Sequence, residues 1–185
     1  MTGPAFRIVT ICTGNICRSP IAERLLQVAL GDAVAVTSAG VRAMVGDPIH
    51  PEMVALLERS GIPADGFAAR QVAPTEVRSA DLVLALTRQH RAELVQQTPA
   101  ALRRSFTLLE FARILASPNL PLVPAGAVGV RLRELVPLAV RYRSLAGPAE
   151  TQDVPDPYGR DRAAYELAYG LISDAVDAIA RAARG

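Results

Sequence analysis

The strongest constraint on this chain lies at its beginning. A β-rich apolar run, Phe6–Cys12 (FRIVTIC), gives way after seven residues to a helical pattern over 20–30, with Ile21, Leu25 and Val28 on one face. A strand that hands over this abruptly to an amphipathic helix belongs to a crossover unit. The helix lies back across the sheet and delivers the next strand parallel to the first. The same alternation continues, with strands expected over 34–38, 81–86 and 105–108 and helices over 51–60, 88–97 and 109–116. A last helix is expected over 161–183, with Tyr165, Ala168, Ile172, Val176 and Ile179 on one face. This rhythm predicts an α/β fold: a parallel sheet covered by helices on both faces.

With 185 residues, half of them apolar, the chain suits one domain, 1–185, with a sizeable core. Residues 117–129 interrupt the rhythm with Pro118, Pro121 and Pro124, then Gly126 and Gly129. The stretch reads as a surface loop, and its three-residue proline spacing also suits a polyproline ligand. Residues 131–145 read as a helix that Pro137 should kink or split. Together, about 117–149 is a candidate insertion. Its arginines Arg131, Arg133, Arg141 and Arg143 could face acidic substrates at a cleft mouth, or simply be solvated on a helix packed against the sheet.

Composition excludes several classes. Cys12 and Cys17 are the only cysteines, too few for a disulfide scaffold or a four-cysteine zinc site, and no metal-ligand spacing accompanies them. No apolar run of membrane-spanning length occurs, and residues 1–7 carry no signal-peptide pattern, so the expected location is the cytoplasm, away from membrane. A net charge of +2 gives no reason to expect a nucleic-acid partner. All twenty basic residues are Arg, which genome composition explains more simply than selection for phosphate forks.

The chemistry concentrates in the strand–helix junction, Cys12-Thr13-Gly14-Asn15-Ile16-Cys17-Arg18-Ser19-Pro20. A junction at the carboxyl edge of a parallel sheet is where ligands bind. There the backbone N–H groups of such a loop and the helix N-terminus together form an anion hollow. Pro20 suits the first helical position and Ser19 the N-cap; Glu23 lies one residue too far on for a capping box. Arg18 supplies a planar fork for two phosphate oxygens. Cys12, at the strand end beside Arg18 and a helix N-terminus, is placed as a thiolate for in-line attack on a bound phosphate, with the Ser19 hydroxyl able to donate to the sulfur. A lone cysteine there would more simply be core; the offsets of Gly14, Asn15, Arg18 and Ser19 argue otherwise. Transfer from an ester also needs an acid, and Asp156, in the stiff Val-Pro-Asp156-Pro-Tyr158 segment, is the candidate, although Asp-Pro pairs also mark ordinary turns.

These two segments resemble the signatures of the low-molecular-weight protein tyrosine phosphatase family. Thr37-Ser38-Ala39-Gly40, Val45-Gly46-Asp47-Pro48 and Ala69-Arg70-Gln71 fall between them in family order. The resemblance covers nearly the whole chain outside about 117–149. It implies a four-stranded parallel sheet, hydrolysis of protein phosphotyrosine through a phosphocysteine, and no cofactor. It implies Cys12 as nucleophile, Arg18 as phosphate ligand and Asp156 as acid and then base. Thr13, Gly14, Asn15, Ile16, Cys17 and Ser19 would surround the phosphate, and Tyr158 would stack on the substrate ring. Asn15, Ser19 and Ser38 would hold the loop's shape, with Asn15 in the left-handed conformation that Asn tolerates. Cys17 would protect an oxidised Cys12 by forming a disulfide.

Two departures stand out: Phe67 occupies the place of a network His, and Ala43 that of a bulky cleft wall. Arsenate reduction on this fold needs further downstream cysteines, which are absent. Arginine phosphatases on this fold tend to carry Thr where this chain has Ile16. A non-catalytic phosphoprotein-binding module would not need Cys12, Arg18 and Asp156 together.

Overall fold

The structure, a computed structural model, describes residues 5–185; residues 1–4 of the stretch inspected for a signal pattern lie outside it. Four strands, β1 (Phe6–Cys12), β2 (Val34–Gly40), β3 (Leu82–Ala85) and β4 (Ser105–Thr107), form one sheet in the order β2-β1-β3-β4, every pair parallel. Seven α-helices connect and follow them: α1 (Arg18–Leu30), α2 (Pro51–Arg59), α3 (Pro74–Ser79), α4 (Arg88–Gln97), α5 (Leu108–Ala116), α6 (Val128–Arg141) and α7 (Arg162–Arg184).

The strand alternation divides the interior. Ile8, Leu82, Leu84 and Phe106 face a large core shared with α1, α2, α5, α6 and α7, whereas Val9, Ile11 and Val83 face a smaller one with Val77, Leu94 and Ala101. Both faces are thus covered, as the unbroken apolar strands require. The chain leaves β1 for β2 on one side and later places β3 on the other. The carboxyl end of β1 is therefore a topological switch point, where connections diverge and a crevice opens.

Local boundaries follow from capping. The strand expected to reach residue 108 stops at Thr107, whose hydroxyl accepts from Glu110 N–H while the Glu110 carboxylate accepts from Thr107 N–H, a reciprocal cap that starts α5 one residue early. The sequence pattern does not mark the short helix α3, with Pro74 in its first turn, because six residues with one buried apolar position, Val77, carry little periodicity. The helix expected at 131–145 instead runs from Val128 to Arg141, continuous through Pro137, and a 3₁₀ turn follows at Arg143–Ala146.

Three of the four arginines of this region are tied to the fold itself. Gly129 packs near Phe6 and the Ala33 carbonyl, at the starting edge of the sheet and opposite the crevice. Arg133 pairs with Asp81 at 3.2 Å and lies over the Phe6 ring, and Arg143 pairs with Glu110 at 2.8 Å and lies over Phe106. Arg131 is buried; its guanidinium donates to the carbonyls of Val123, Pro124 and Ala182, at 2.7, 2.5 and 2.9 Å. One side chain thus ties the proline-rich loop to α7. Among the described residues no helix is long and apolar enough to cross a membrane.

Arg131→Met should leave three carbonyls short of a charged donor and destabilise the fold by roughly 2–4 kcal/mol. Urea denaturation should show this loss as a lowered midpoint, with the far-ultraviolet circular dichroism of the folded state unchanged. An unchanged midpoint would remove Arg131 as the tie between the proline-rich loop and α7.

Candidate active site

The loop between β1 and α1 is shaped by what happens to its carbonyls. Those of Cys12, Thr13, Gly14 and Ile16 accept from the N–H groups of Val41, Arg42, Met44 and His50, at 2.8–3.0 Å. The segment after β2 thus lies along the outside of the loop. In a trans peptide the N–H points opposite to its C=O, so turning these carbonyls outward turns the following N–H groups toward the loop's centre. The approach is close. A Cβ on Gly40 would lie 3.0 Å from Ala43 Cα and would overlap the Thr13 carbonyl oxygen, so glycine is required there.

Cys12 Sγ sits at the floor, with the residue 2% exposed. It lies 3.0 Å from Ser19 Oγ, and Asn15 N–H donates to it at 3.3 Å. Ser19 is not the N-cap: α1 begins at Arg18 and its N-cap, Cys17, makes no side-chain cap. The hydroxyl is turned back to the sulfur instead, a correction with a chemical consequence. Asn15 is fully buried in the left-handed region at φ 56°. Its amide donates to Ser19 Oγ and Ser38 Oγ, both at 2.9 Å, and its Oδ1 accepts from Arg70 N–H at 2.9 Å. Ser38 in turn donates to Glu23 at 2.5 Å.

Arg18, 4% exposed, donates from Nη1 to the Val154 carbonyl at 3.1 Å and pairs through Nη2 with Asp156 Oδ2 at 2.7 Å. The segment carrying Asp156 is anchored twice more. Val154 N–H donates to the Leu86 carbonyl at 2.9 Å, and Arg88 N–H donates to Asp153 at 2.7 Å at the start of α4. An open cleft of about 200 Å³ results. It is lined by Cys12, Thr13, Gly14, Ile16, Cys17, Arg18, Asp156 and Tyr158, together with Arg42 and Met44. A hollow of inward N–H groups beside a guanidinium binds anions. Here the floor is a thiol and the mouth carries a carboxylate.

Of the residues singled out in the sequence, Cys12, Thr13, Gly14, Ile16, Cys17, Arg18, Asp156 and Tyr158 line this cleft, whereas Asn15 and Ser19, expected around the phosphate, do not line it and are hydrogen-bonded with Ser38 in a buried cluster behind the loop. At the two departures noted in the sequence the surroundings are as follows. Ala43 does not line the cleft, and its N–H donates to Gln71 Oε1 at 2.9 Å; the neighbouring Met44, 39% exposed, lines the cleft on that side. Phe67 packs half-buried against the core, and the hydrogen bonds found around Asn15 and Ser38 include those of Arg70 N–H to Asn15 and of Ser38 to Glu23.

His90 was missed. Its Nε2 lies 2.8 Å from Thr13 Oγ1, and burial, reinforced by Arg18 and Arg42 against the opposing Asp156 and Asp153, pushes its pKa down to about 4. It is a neutral strut under the loop, and no motif marks a partner 77 residues away. Cys17 is also buried; burial first, then the neighbouring Cys12 and Asp156, push its thiol up to about 12 despite Arg18. The two cysteines are both free.

Residues 7–120 match the family model described as low molecular weight phosphotyrosine protein phosphatase. The chain is 30% identical over 168 residues to the low molecular weight protein-tyrosine-phosphatase Etp of Escherichia coli K12, covering 91% of this chain and 88% of that one. Among solved structures it resembles the low molecular weight protein tyrosine phosphatase from T. tengcongensis, with TM-score 0.69 and 29% identity over 94% of this chain and 97% of that one. It also resembles the YwlE arginine phosphatase from Geobacillus stearothermophilus, with TM-score 0.71 and 27% identity over 95% and 91%. The chain belongs to the low molecular weight phosphotyrosine protein phosphatase family.

Two measurements follow from the titrating groups. Because Cys17 remains a thiol far above neutrality, iodoacetamide at pH 8 should alkylate Cys12 alone, and Cys12→Ser protein should stay unlabelled by mass spectrometry. His90 binds its proton less readily folded than unfolded, so its contribution is intact above its ordinary pKa of 6.5 and is lost as pH falls toward 4. Wild-type stability should therefore fall more steeply between pH 6.5 and 4 than that of His90→Gln, by at most ~1.4 kcal/mol per pH unit. Equal slopes would remove His90 from the account.

Proposed function

We propose that this family member hydrolyses phosphotyrosine in proteins, and small aryl phosphates, through a phosphocysteine at Cys12. The observation that carries the reading is the placement of Cys12 Sγ, 3.0 Å from Ser19 Oγ at the floor of the anion hollow, with Arg18 and Asp156 joined at its mouth at 2.7 Å. The phosphoryl group would sit in the loop, its oxygens on the inward N–H groups and on the Arg18 fork, which displaces Asp156 from Arg18 toward the ester oxygen.

The Cys12 thiolate then attacks phosphorus in line. The S–P bond forms as the P–O bond to the aryl group breaks, and Asp156 in its acid form gives its proton to the departing oxygen. In the second step Asp156 takes a proton from water, the water oxygen bonds to phosphorus, and the S–P bond breaks. The Ser19 hydroxyl, donating to sulfur, stabilises the returning thiolate. Met44 and Tyr158 flank the aryl ring, and Ile16 closes the cleft on an apolar side. This apolar lining favours a phenyl ester over the phosphoarginine suggested by the name of one structural relative. Cys17, a buried thiol beside Cys12, fits a protective role: on oxidation of Cys12 to a sulfenic acid, its sulfur would displace water to give a disulfide. Residues 117–149 read as an insertion that serves stability, supported by the inward ties of Arg131 and Arg143.

Cys12→Ser should abolish turnover, and Arg18→Lys, which keeps charge but loses the fork, should lower kcat/KM by about 10²–10³-fold. Asp156→Asn should slow aryl esters by about 10²–10⁴-fold, less for phenols that leave without protonation. A loss independent of the leaving group would make Asp156 structural. Faster hydrolysis of phosphoarginine than of phosphotyrosine peptides would overturn the substrate assignment.

A further inference from the structure

The Tyr158 ring at the mouth of the cleft rests on a residue that the chemistry above does not use, His50. Tyr158 is 54% exposed, and its N–H is held by Asp156 Oδ1 at 3.3 Å. That contact fixes the backbone and leaves the ring free to leave the cleft wall. The ring meets His50 edge-on, with centroids 5.9 Å apart at 82°. His50 itself is stacked on Tyr165 at 4.9 Å and 20°, and Tyr165 is a buried core residue of α7. The His50 N–H donates to the Ile16 carbonyl at 2.8 Å, so the same residue is tied to the phosphate-binding loop.

His50 also precedes α2, where its Nδ1 accepts from Glu52 N–H at 3.4 Å. That is a long contact, and a short Asp, Asn or Ser side chain caps a helix better. Capping alone therefore does not account for an imidazole here. With Nδ1 accepting, a neutral ring carries its proton on Nε2, which points to Tyr165 Oη at 3.3 Å and locks the ring plane. The result is a ladder from core to cleft: Tyr165, His50, Tyr158.

We propose that His50 is a positioning residue for aryl recognition: it holds the Tyr158 ring against the cleft so that an aryl phosphate meets a preformed wall. Ordering that ring before binding spares its rotamer entropy when the substrate arrives. The effect concerns the aryl group and not the phosphate, since His50 lines none of the anion hollow. The inference rests on the phosphatase reading above.

The test uses binding, which does not depend on turnover. Affinities of benzylphosphonate and inorganic phosphate are measured by calorimetry for wild type, His50→Asn and His50→Phe, with thermal melts confirming folding. His50→Asn keeps a helix cap and removes the ring; it should reduce the preference for benzylphosphonate over phosphate by about three- to tenfold, the size of one aromatic edge contact. In kinetics it should raise KM for p-nitrophenyl phosphate with kcat little changed. His50→Phe, which restores the ring, should restore the preference. In a Tyr158→Ala background His50→Asn should change the preference no further. An unchanged preference in His50→Asn, equal losses in the Asn and Phe variants, or additive losses with Tyr158→Ala would each overturn the proposal. Wild-type protein that hydrolyses aryl phosphates yet shows any of these results sinks the ladder alone. Wild-type protein that binds neither anion sinks the phosphatase reading, and the ladder with it.

Discussion

The buried amide of Asn15 ties the anion hollow to the sheet. A non-glycine residue in the left-handed region is costly, and it persists only where surrounding contacts determine it. Here both ends of the side chain are used: the NH₂ group donates to Ser19 and Ser38, and the oxygen accepts from the Arg70 backbone. The unusual backbone turn directs the Asn15 N–H to Cys12 Sγ. The same amide holds the Ser19 hydroxyl that faces the sulfur from the other side. One side chain thus sets the loop's curvature and the polar surroundings of its thiol. Removing it would leave several buried hydrogen-bonding groups unpaired at once.

The second constraint is topological. A parallel sheet that grows first to one side of β1 and then to the other leaves a gap beyond the ends of β1 and β3. Both gap walls are pinned to that edge. Leu86, just past β3, donates to the Ile11 carbonyl and accepts from Val154 N–H, so it joins the loop strand to the acid-bearing segment. Arg18 closes the circuit by donating to the Val154 carbonyl while it pairs with Asp156. Cys12 and Asp156, far apart in the chain, are therefore held by a short path of backbone contacts. Exposed loop ends with small residues would not hold a thiol and a carboxylate to a common target this way.

The parts legible in the sequence are those written in local pattern. Apolar runs and helical spacing disclose the α/β layering, and the offsets from Cys12 to Ser19 disclose an anion loop, because adjacent residues build it. The parts not legible arise where distant segments meet. Nothing near His90 announces Thr13, 77 residues away, and nothing near Gly40 announces that the Thr13 carbonyl will press against it. Ser19 looks like a cap by position, yet in the folded chain the better partner for its hydroxyl is the thiol and the Asn15 amide. Arg131, Arg133 and Arg143 look in sequence like part of a binding face, and in the fold they meet three carbonyls, Asp81 and Glu110. Met44 lines the cleft beside the small Ala43, and its N–H is tied to the Gly14 carbonyl, a contact between segments 30 residues apart that no local pattern announces.

The central claim is that the sulfur of Cys12 forms a bond to phosphorus during turnover. Rapid acid quench of the enzyme with an excess of p-nitrophenyl phosphate, followed by peptide mass spectrometry under conditions that preserve phosphothioesters, addresses it directly. The account predicts one added phosphoryl group, located on Cys12, appearing before steady state and absent from Cys12→Ser. A phosphoryl group on Cys17 or any other residue, or turnover that persists in Cys12→Ser, would contradict it.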